Sequence, residues 1–258
     1  MGRIISIANQ KGGVGKTTTA INLAASLGVM EFSVLLVDID PQSNSSSGLG
    51  IDVRNLDITV YNLIAEEASF DEVVQKTNYP NLSILPSSIN LVGAEIELVN
   101  QENREIRLKK VLDTVKDKYS FILIDSPPSL GLLTVNGLTA ADTVLIPVQC
   151  EYYALEGLGQ LLRTIELVKY NFNQHLDIEG VLMTMYDSRL RISNSVIEDV
   201  RKHFNEKVFK TVIARNVRLA EAPSYNMPVI EYDATSTGAQ NYLALANELI
   251  QKNKNIIS

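Results

Sequence analysis

The chain has 258 residues, 45% of them hydrophobic and 21% charged, a composition that buries a core without disulfides or structural metals. Its one cysteine, Cys150, excludes an internal bridge, and the apolar run before it marks a small core thiol in a reducing compartment rather than a nucleophile. The net charge of −7 argues, on average, against a nucleic-acid partner.

In chain order, the amino terminus enters an apolar stretch that stops at Asn9, Gln10 and Lys11, too short for the apolar segment of a signal peptide. No later run approaches the roughly 20 apolar residues of a membrane span, so a soluble, cytoplasmic protein is expected. Short β-branched runs over 4–8, 34–38, 82–85, 121–125, 143–148, 180–185 and 208–213 read as strands. Several are apolar at consecutive positions, the pattern of a parallel strand covered on both faces. Helical patterns lie between them, over 18–27, 106–115 and 196–204. In the last, Val196, Ile197, Val200 and Phe204 share one face. The stretch 48–100 predicts two or three short helices around the strand at 82–85, and 239–250 predicts a closing helix. This alternation implies an α/β fold: one domain over 1–258, a doubly wound, mostly parallel sheet with helices on both faces and its ligand site at the carboxyl ends of the strands.

The first strand leads into a glycine-rich loop and then a helix, the context in which a phosphate-binding motif has a mechanism. Gly12, Gly13 and Gly15 let successive backbone N–H groups, that of Val14 among them, turn inward toward phosphate oxygens. The helix beginning near Lys16 adds its positive end. Lys16 is placed to neutralise the β/γ-phosphates of ATP, Thr17 to ligate Mg²⁺ through its hydroxyl, and Thr18 to reach the α-phosphate. The first glycine of the standard loop is replaced by Gln10, and Lys11 follows it. Asp125 ends an apolar strand, where an acid reaching Mg²⁺ through water would sit, and Asp38 and Asp40 end another. No N-K-x-D guanine-reading sequence occurs, which favours adenine.

With Lys11 at the variant position, the chain resembles the ParA/Soj-type partition ATPases of the deviant Walker A class that includes MinD. The resemblance covers nearly the whole chain. Its marks are K-G-G-V-G-K-T-T-T-A-I-N-L-A, L-L-V-D-I-D-P-Q (35–42), S-G-L-G (47–50), I-D-S-P-P-S-L (124–130), P-V-Q-C-E-Y-Y-A-L-E-G-L (147–158) and R-N-V-R-L-A-E-A-P-S (215–224). It implies that Lys11 crosses into the phosphates of a partner subunit in an ATP-bound sandwich dimer, and that Gly12 lies where the two backbones approach. It further implies that Asp40 orients the attacking water and belongs with Thr17 and Asp125 at the metal, that hydrolysis is slow, and that Met185, Arg215 and Asn216 flank the base. Two departures stand out: Ala214 where the family leads one to expect proline, and Ser43 where glycine is common.

Between Arg189 and Arg218 eight basic residues face three acidic ones, so this segment carries +5 and the rest of the chain −12. By the resemblance, Arg189 and Arg218 contact double-stranded DNA without sequence preference, on a surface completed by the homodimer. The resemblance further implies a ParB-type partner that stimulates hydrolysis and a nucleoid-associated protein. A MinD-like membrane ATPase is the first rival; only about two turns follow Ile250, little for an interfacial helix. A metabolic enzyme of the same fold is the second. Within it, an iron–sulfur reductase is disfavoured by the single cysteine, while a small-molecule synthetase leaves the basic segment unexplained. A DNA-binding module without catalysis would leave the phosphate machinery unexplained. The strand starting at Arg3 leaves no room for a preceding helix-turn-helix, which resembles the chromosomal type.

Overall fold

The computed structural model describes residues 2–151 and 156–255. Part of the 147–158 motif therefore lies outside the described residues, as do the last three positions. The described residues form an eight-stranded sheet: β1 (Arg3–Ile7), β2 (Val34–Asp38), β3 (Gln75–Lys76), β4 (Leu82–Leu85), β5 (Phe121–Asp125), β6 (Thr143–Gln149), β7 (Asp177–Tyr186) and β8 (Val208–Ala214). Their spatial order is β3-β4-β2-β5-β1-β6-β7-β8. Every pairing is parallel except that of β3 with β4. The helices are α1 (Lys16–Val29), α2 (Asn44–Gly48), α3 (Val60–Ile64), α4 (Phe70–Val73), α5 (Leu91–Glu97), α6 (Arg107–Val115), α7 (Leu132–Ala140), α8 (Glu156–Asn171), α9 (Arg191–Phe204), α10 (Val217–Glu221), α11 (Val229–Tyr232) and α12 (Thr237–Asn253).

The consecutive apolar runs are explained by two cores on opposite faces of the sheet. Leu35, Val37, Ile122 and Ile124 enter one core, with Leu108 and Leu112 of α6, Leu138 of α7 and Val200 of α9. Their neighbours Val34, Leu36, Phe121 and Leu123 enter the other, with Leu23 and Leu27 of α1 and Tyr242, Leu245 and Leu249 of α12. Successive strand side chains point to opposite faces, so a strand buried on both needs no polar alternation. The doubly wound α/β fold expected above is thus the observed one.

All seven expected strands are present within a few residues of their expected limits. The strand β3 is additional: its two residues, Gln75 and Lys76, make an antiparallel edge too short and polar to leave a periodic signal. The helices α2, α7, α8, α10 and α11 were not anticipated. Nearly all of α7 is buried, so its apolar residues run round the helix without a stripe to read.

Topology assembles the site. Because β5 lies between β2 and β1, the loops leaving all three open at one point of the carboxyl edge, where ligands of doubly wound sheets bind.

Candidate functional site

The phosphate loop connects β1 to α1. Gly13 (φ 74°) and Gly15 (φ 90°) occupy the left-handed region that side chains disfavour, and a Cβ on Gly12 or Gly13 would meet nothing within 4 Å. The loop therefore cups open space. Its rim is braced from behind: Asn9 donates to the Pro147 carbonyl at 2.7 Å and accepts the Lys11 N–H at 3.0 Å, and Thr184 Oγ1 donates to the Val14 carbonyl at 2.8 Å. A cavity of about 300 Å³ opens over the loop, lined by Gly12, Gly13, Lys16, Thr17 and Thr18 and by Asp40 from the facing turn.

Lys16 is buried and donates to the Lys11 carbonyl at 3.1 Å. Burial lowers its pKa, and Asp125 and Asp40 oppose that fall. Asp125 ends β5 with no exposed surface; one oxygen accepts the Ser45 hydroxyl at 2.7 Å and the other, Oδ1, is a buried acceptor without a partner. Burial pushes its pKa up to about 6, while the Ser45 hydroxyl bond and the nearby Thr17 hydroxyl pull the other way. An orphaned carboxylate oxygen beside a threonine hydroxyl, at the rim of an open cradle, fits a hard oxygen-seeking cation. Thr17, Asp40 and Asp125 are thus brought together around this cavity. Asp38, already noted with Asp40 in the sequence, lies directly across from Asp125 in the β2–β5 register. Burial and the Asp125 charge raise its pKa to about 8.

A second cavity, of about 290 Å³, adjoins the first through Gly15 and Thr18 and is lined by Met185, Ala214, Arg215 and Asn216. Its size and partly apolar wall suit a planar base. Met185 adopts φ 52°, a strained value for a methionine. Asn216 caps α10 by accepting the Arg218 N–H at 2.8 Å, and Arg215 N–H donates to the Tyr186 carbonyl at 2.9 Å. The three expected base-flanking residues thus meet in one pocket. The Ala214 departure has a local reason: its N–H donates to Asn241 Oδ1 at 3.0 Å, a bond proline could not make.

Lys11 does not point into its own phosphate loop. Its ammonium pairs with Glu151, two residues beyond β6, with both side chains about one-third exposed. The basic segment is the reading that changes most. The strand β8 carries Lys207 before its first residue and Arg215 after its last, about 26 Å apart over eight steps of extended chain. Because α9 runs back beneath the sheet edge, Arg201 and Lys202 go with Lys207, away from the site. Arg189, Arg191, Arg215 and Arg218 gather at the carboxyl edge. The +5 segment is therefore not one patch but two end groups with Lys210 between them on β8. Arg189 is highly exposed and forked onto Asp187 at 2.9 and 2.7 Å; Arg218 pairs with Glu221 at 2.8 Å and Asp233 at 3.3 Å.

Sequence reasoning missed Asn9, Ser45, Glu151 and Thr184. Only Glu151 lay inside a recognised motif; the others carry no local signal, since their partners are distant in the chain. Among the described residues no cluster of three or more His, Cys, Asp or Glu is arranged to hold a metal by itself, and no helix is long and apolar enough to cross a membrane.

Residues 2–178 match the model of the AAA domain. Over 249 residues the chain is 56% identical to the sporulation initiation inhibitor protein Soj of Bacillus subtilis (strain 168), covering 96% of this chain and 98% of that protein. It is 54% identical to the chromosome partitioning protein ParA of Myxococcus xanthus (strain DK1622), covering 98% and 89%. The fold superimposes on cobyrinic acid a,c-diamide synthase from Mycobacterium smegmatis, crystallised with an ATP analogue and magnesium. There the TM-score is 0.87 and the identity 37%, over 98% of this chain and 96% of that one. The chain belongs to the ParA/Soj family of chromosome-partitioning ATPases.

Proposed function

We propose that this chain is an ATP-gated DNA-partitioning switch, acting as one domain over 1–258. With ATP and Mg²⁺ it forms a sandwich dimer that holds double-stranded DNA without sequence preference, and slow hydrolysis, stimulated by a ParB-type partner, releases it. The observation that carries the reading is the combination at one carboxyl edge of an open glycine cradle, the acids Asp40 and Asp125, and a lysine, Lys11, turned away from its own cradle.

In this reading the N–H groups of 12–18 and the Lys16 ammonium hold the phosphates of ATP, and their fixed positive field favours the charge that develops on the leaving oxygens. Thr17, Asp40 and Asp125 would hold Mg²⁺, Asp125 through water, and the ion would supply positive charge to offset that developing on the phosphates. Asp40 accepts a hydrogen bond from the attacking water and aims it. Its Oδ1 is already turned by the Gln42 N–H at 2.9 Å. Lys11 leaves Glu151 to meet the partner subunit's phosphates. Met185, Arg215 and Asn216 enclose the adenine. Arg189 and Arg218 take DNA phosphates in place of their present carboxylates, each exchange being near neutral because exposed ion pairs contribute little.

The synthase neighbour keeps a metabolic reading in view, since the nucleotide machinery is common to both. The higher identity to the partition proteins and the arginine edge favour DNA. Fluorescence anisotropy of labelled duplex DNA, titrated with salt in ATP, ADP or no nucleotide, separates the two. Binding is expected with ATP only, falling steeply with salt and indifferent to sequence. Arg189→Glu and Arg218→Glu are expected to lose it by at least about tenfold while binding ATP normally. Full DNA affinity in both variants, or equal binding without nucleotide, would overturn the reading.

A further inference from the structure

The turn that carries Asp40 has a set of buried contacts that the chemistry above does not use. Asp38, Ser46 and Ser87 have no exposed surface, and buried hydroxyls require partners. Ser46 spends its N–H and its hydroxyl on one oxygen of Asp38, at 2.8 and 2.7 Å. The same hydroxyl accepts the Ser87 N–H at 3.0 Å, and the Ser87 hydroxyl donates to the Asp40 carbonyl at 2.6 Å. The Asp40 N–H reaches the other oxygen of Asp38 at 3.1 Å, closing a ring of four residues.

Ser87 differs from the other members in where it comes from. It stands two residues beyond β4, the strand paired directly with β2, and lies 47 positions along the chain from Asp40. The remaining hydrogen bonds of Asp40 are local: its N–H donates to Asp38 at the end of β2, and it accepts from Gln42 and Ser43 in the turn. That turn is strained, since Ser43 sits at φ 55° while its N–H donates to the Asp40 carbonyl at 2.9 Å. Among the described residues Ser87 is thus the one hydrogen-bond partner of Asp40 that comes from beyond a neighbouring strand rather than from its own strand and turn.

We infer that Ser87 is a positioning residue for hydrolysis: its hydroxyl holds the main chain at Asp40 so that the carboxylate keeps its aim on the attacking water. The inference rests on the role given to Asp40 above. Ser87 touches no part of the phosphate cradle, which is built on β1 and α1, so nucleotide affinity is independent of it. Misplacing a reacting group by about an ångström costs up to about a hundredfold in rate. One lost tether among four hydrogen bonds is expected to cost about tenfold.

The test compares Ser87→Ala, Ser87→Thr, Asp40→Ala and the parent chain. It measures single-turnover ATP hydrolysis, ATP affinity, melting temperature and the mass of the ATP-bound species by light scattering. For Ser87→Ala the hydrolysis rate is expected to fall about tenfold with ATP affinity within about twofold of the parent. The ATP-bound dimer should accumulate as it does in Asp40→Ala. Ser87→Thr, which keeps the hydroxyl, is expected near the parent rate. Parent-rate hydrolysis by Ser87→Ala beside an inactive Asp40→Ala overturns this inference alone. So does a Ser87→Ala chain whose rate, ATP affinity and melting temperature fall together, because that pattern is a folding effect. Undiminished hydrolysis by Asp40→Ala instead removes the role of Asp40 on which the inference stands.

Discussion

Ser43 shows how a single residue records a compromise. Its φ of 55° is the left-handed value at which a side chain costs about 1–2 kcal/mol, and it sits where α2 begins, just after Asp40. A glycine there removes the strain but adds about 0.5–1 kcal/mol of unfolded-state entropy to be lost on folding. The expected outcome for Ser43→Gly is a net gain of about 0.5–1 kcal/mol in urea unfolding. An unchanged or lower stability would show that the turn does not bear the strain at this residue. Ala214 is the converse case, where a departure from the family pattern is used: its N–H is bonded to Asn241.

Among the elements, the parallel pairing of β2 with β5 sets two carboxylates side by side, Asp38 against Asp125, with no exposed surface on either. Burial raises both pKa values, to about 8 and about 6, well above those of the unfolded chain. The native state therefore binds more protons than the unfolded state between the ordinary carboxylate range and pH 8. The stability this contributes is complete at low pH and is lost as pH rises through about 6 and then about 8. In buffer free of magnesium and nucleotide, the melting temperature is expected to fall from pH 6 to pH 9. Asp38→Asn is expected to be less stable throughout, because its amide nitrogen meets the Ser46 or Asp40 donors, yet to vary less with pH. An equal slope in both chains would place the pH dependence elsewhere. A second coupling of this kind involves α10: this short helix follows Arg215 and Asn216 of the base cavity and itself carries Arg218. The wall of one candidate site is thus the support of the other.

At the scale of the whole molecule, the single chain holds Lys11 against its own Glu151. The proposed dimer requires that pair to open, at little cost for side chains so exposed. Lys11→Ala is expected to remain monomeric with ATP, and Asp40→Ala to persist as an ATP-bound dimer. Light scattering with ATP and with ADP checks both, and a dimer of Lys11→Ala with ATP would remove the role proposed for the lysine. The net charge of −7 does not oppose DNA binding in such a dimer, because four arginines gather at one edge of each subunit while the opposite group of basic residues faces away.

The strands, the two-faced burial of the sheet and the glycine cradle were legible in the sequence, because each depends on local rules: consecutive apolar residues in a short run, and glycines between a strand and a helix. The buried helix α7 and the two-residue strand β3 were not, since one is apolar all round and the other is formed only by its neighbour. The same division runs through the site. Lys16, Thr17, Asp40 and Asp125 announce themselves by position in their motifs. Ser45, Ser46 and Ser87 are ordinary serines until β4, β2 and β5 are laid side by side, and the basic run looks like one patch until β8 separates its halves by its own length. What the sequence determined by itself was the chemistry available at the carboxyl edge. Which groups touch was decided only by the order of the parallel strands, because hydrogen bonds and buried charges depend on distance in space and not on distance along the chain.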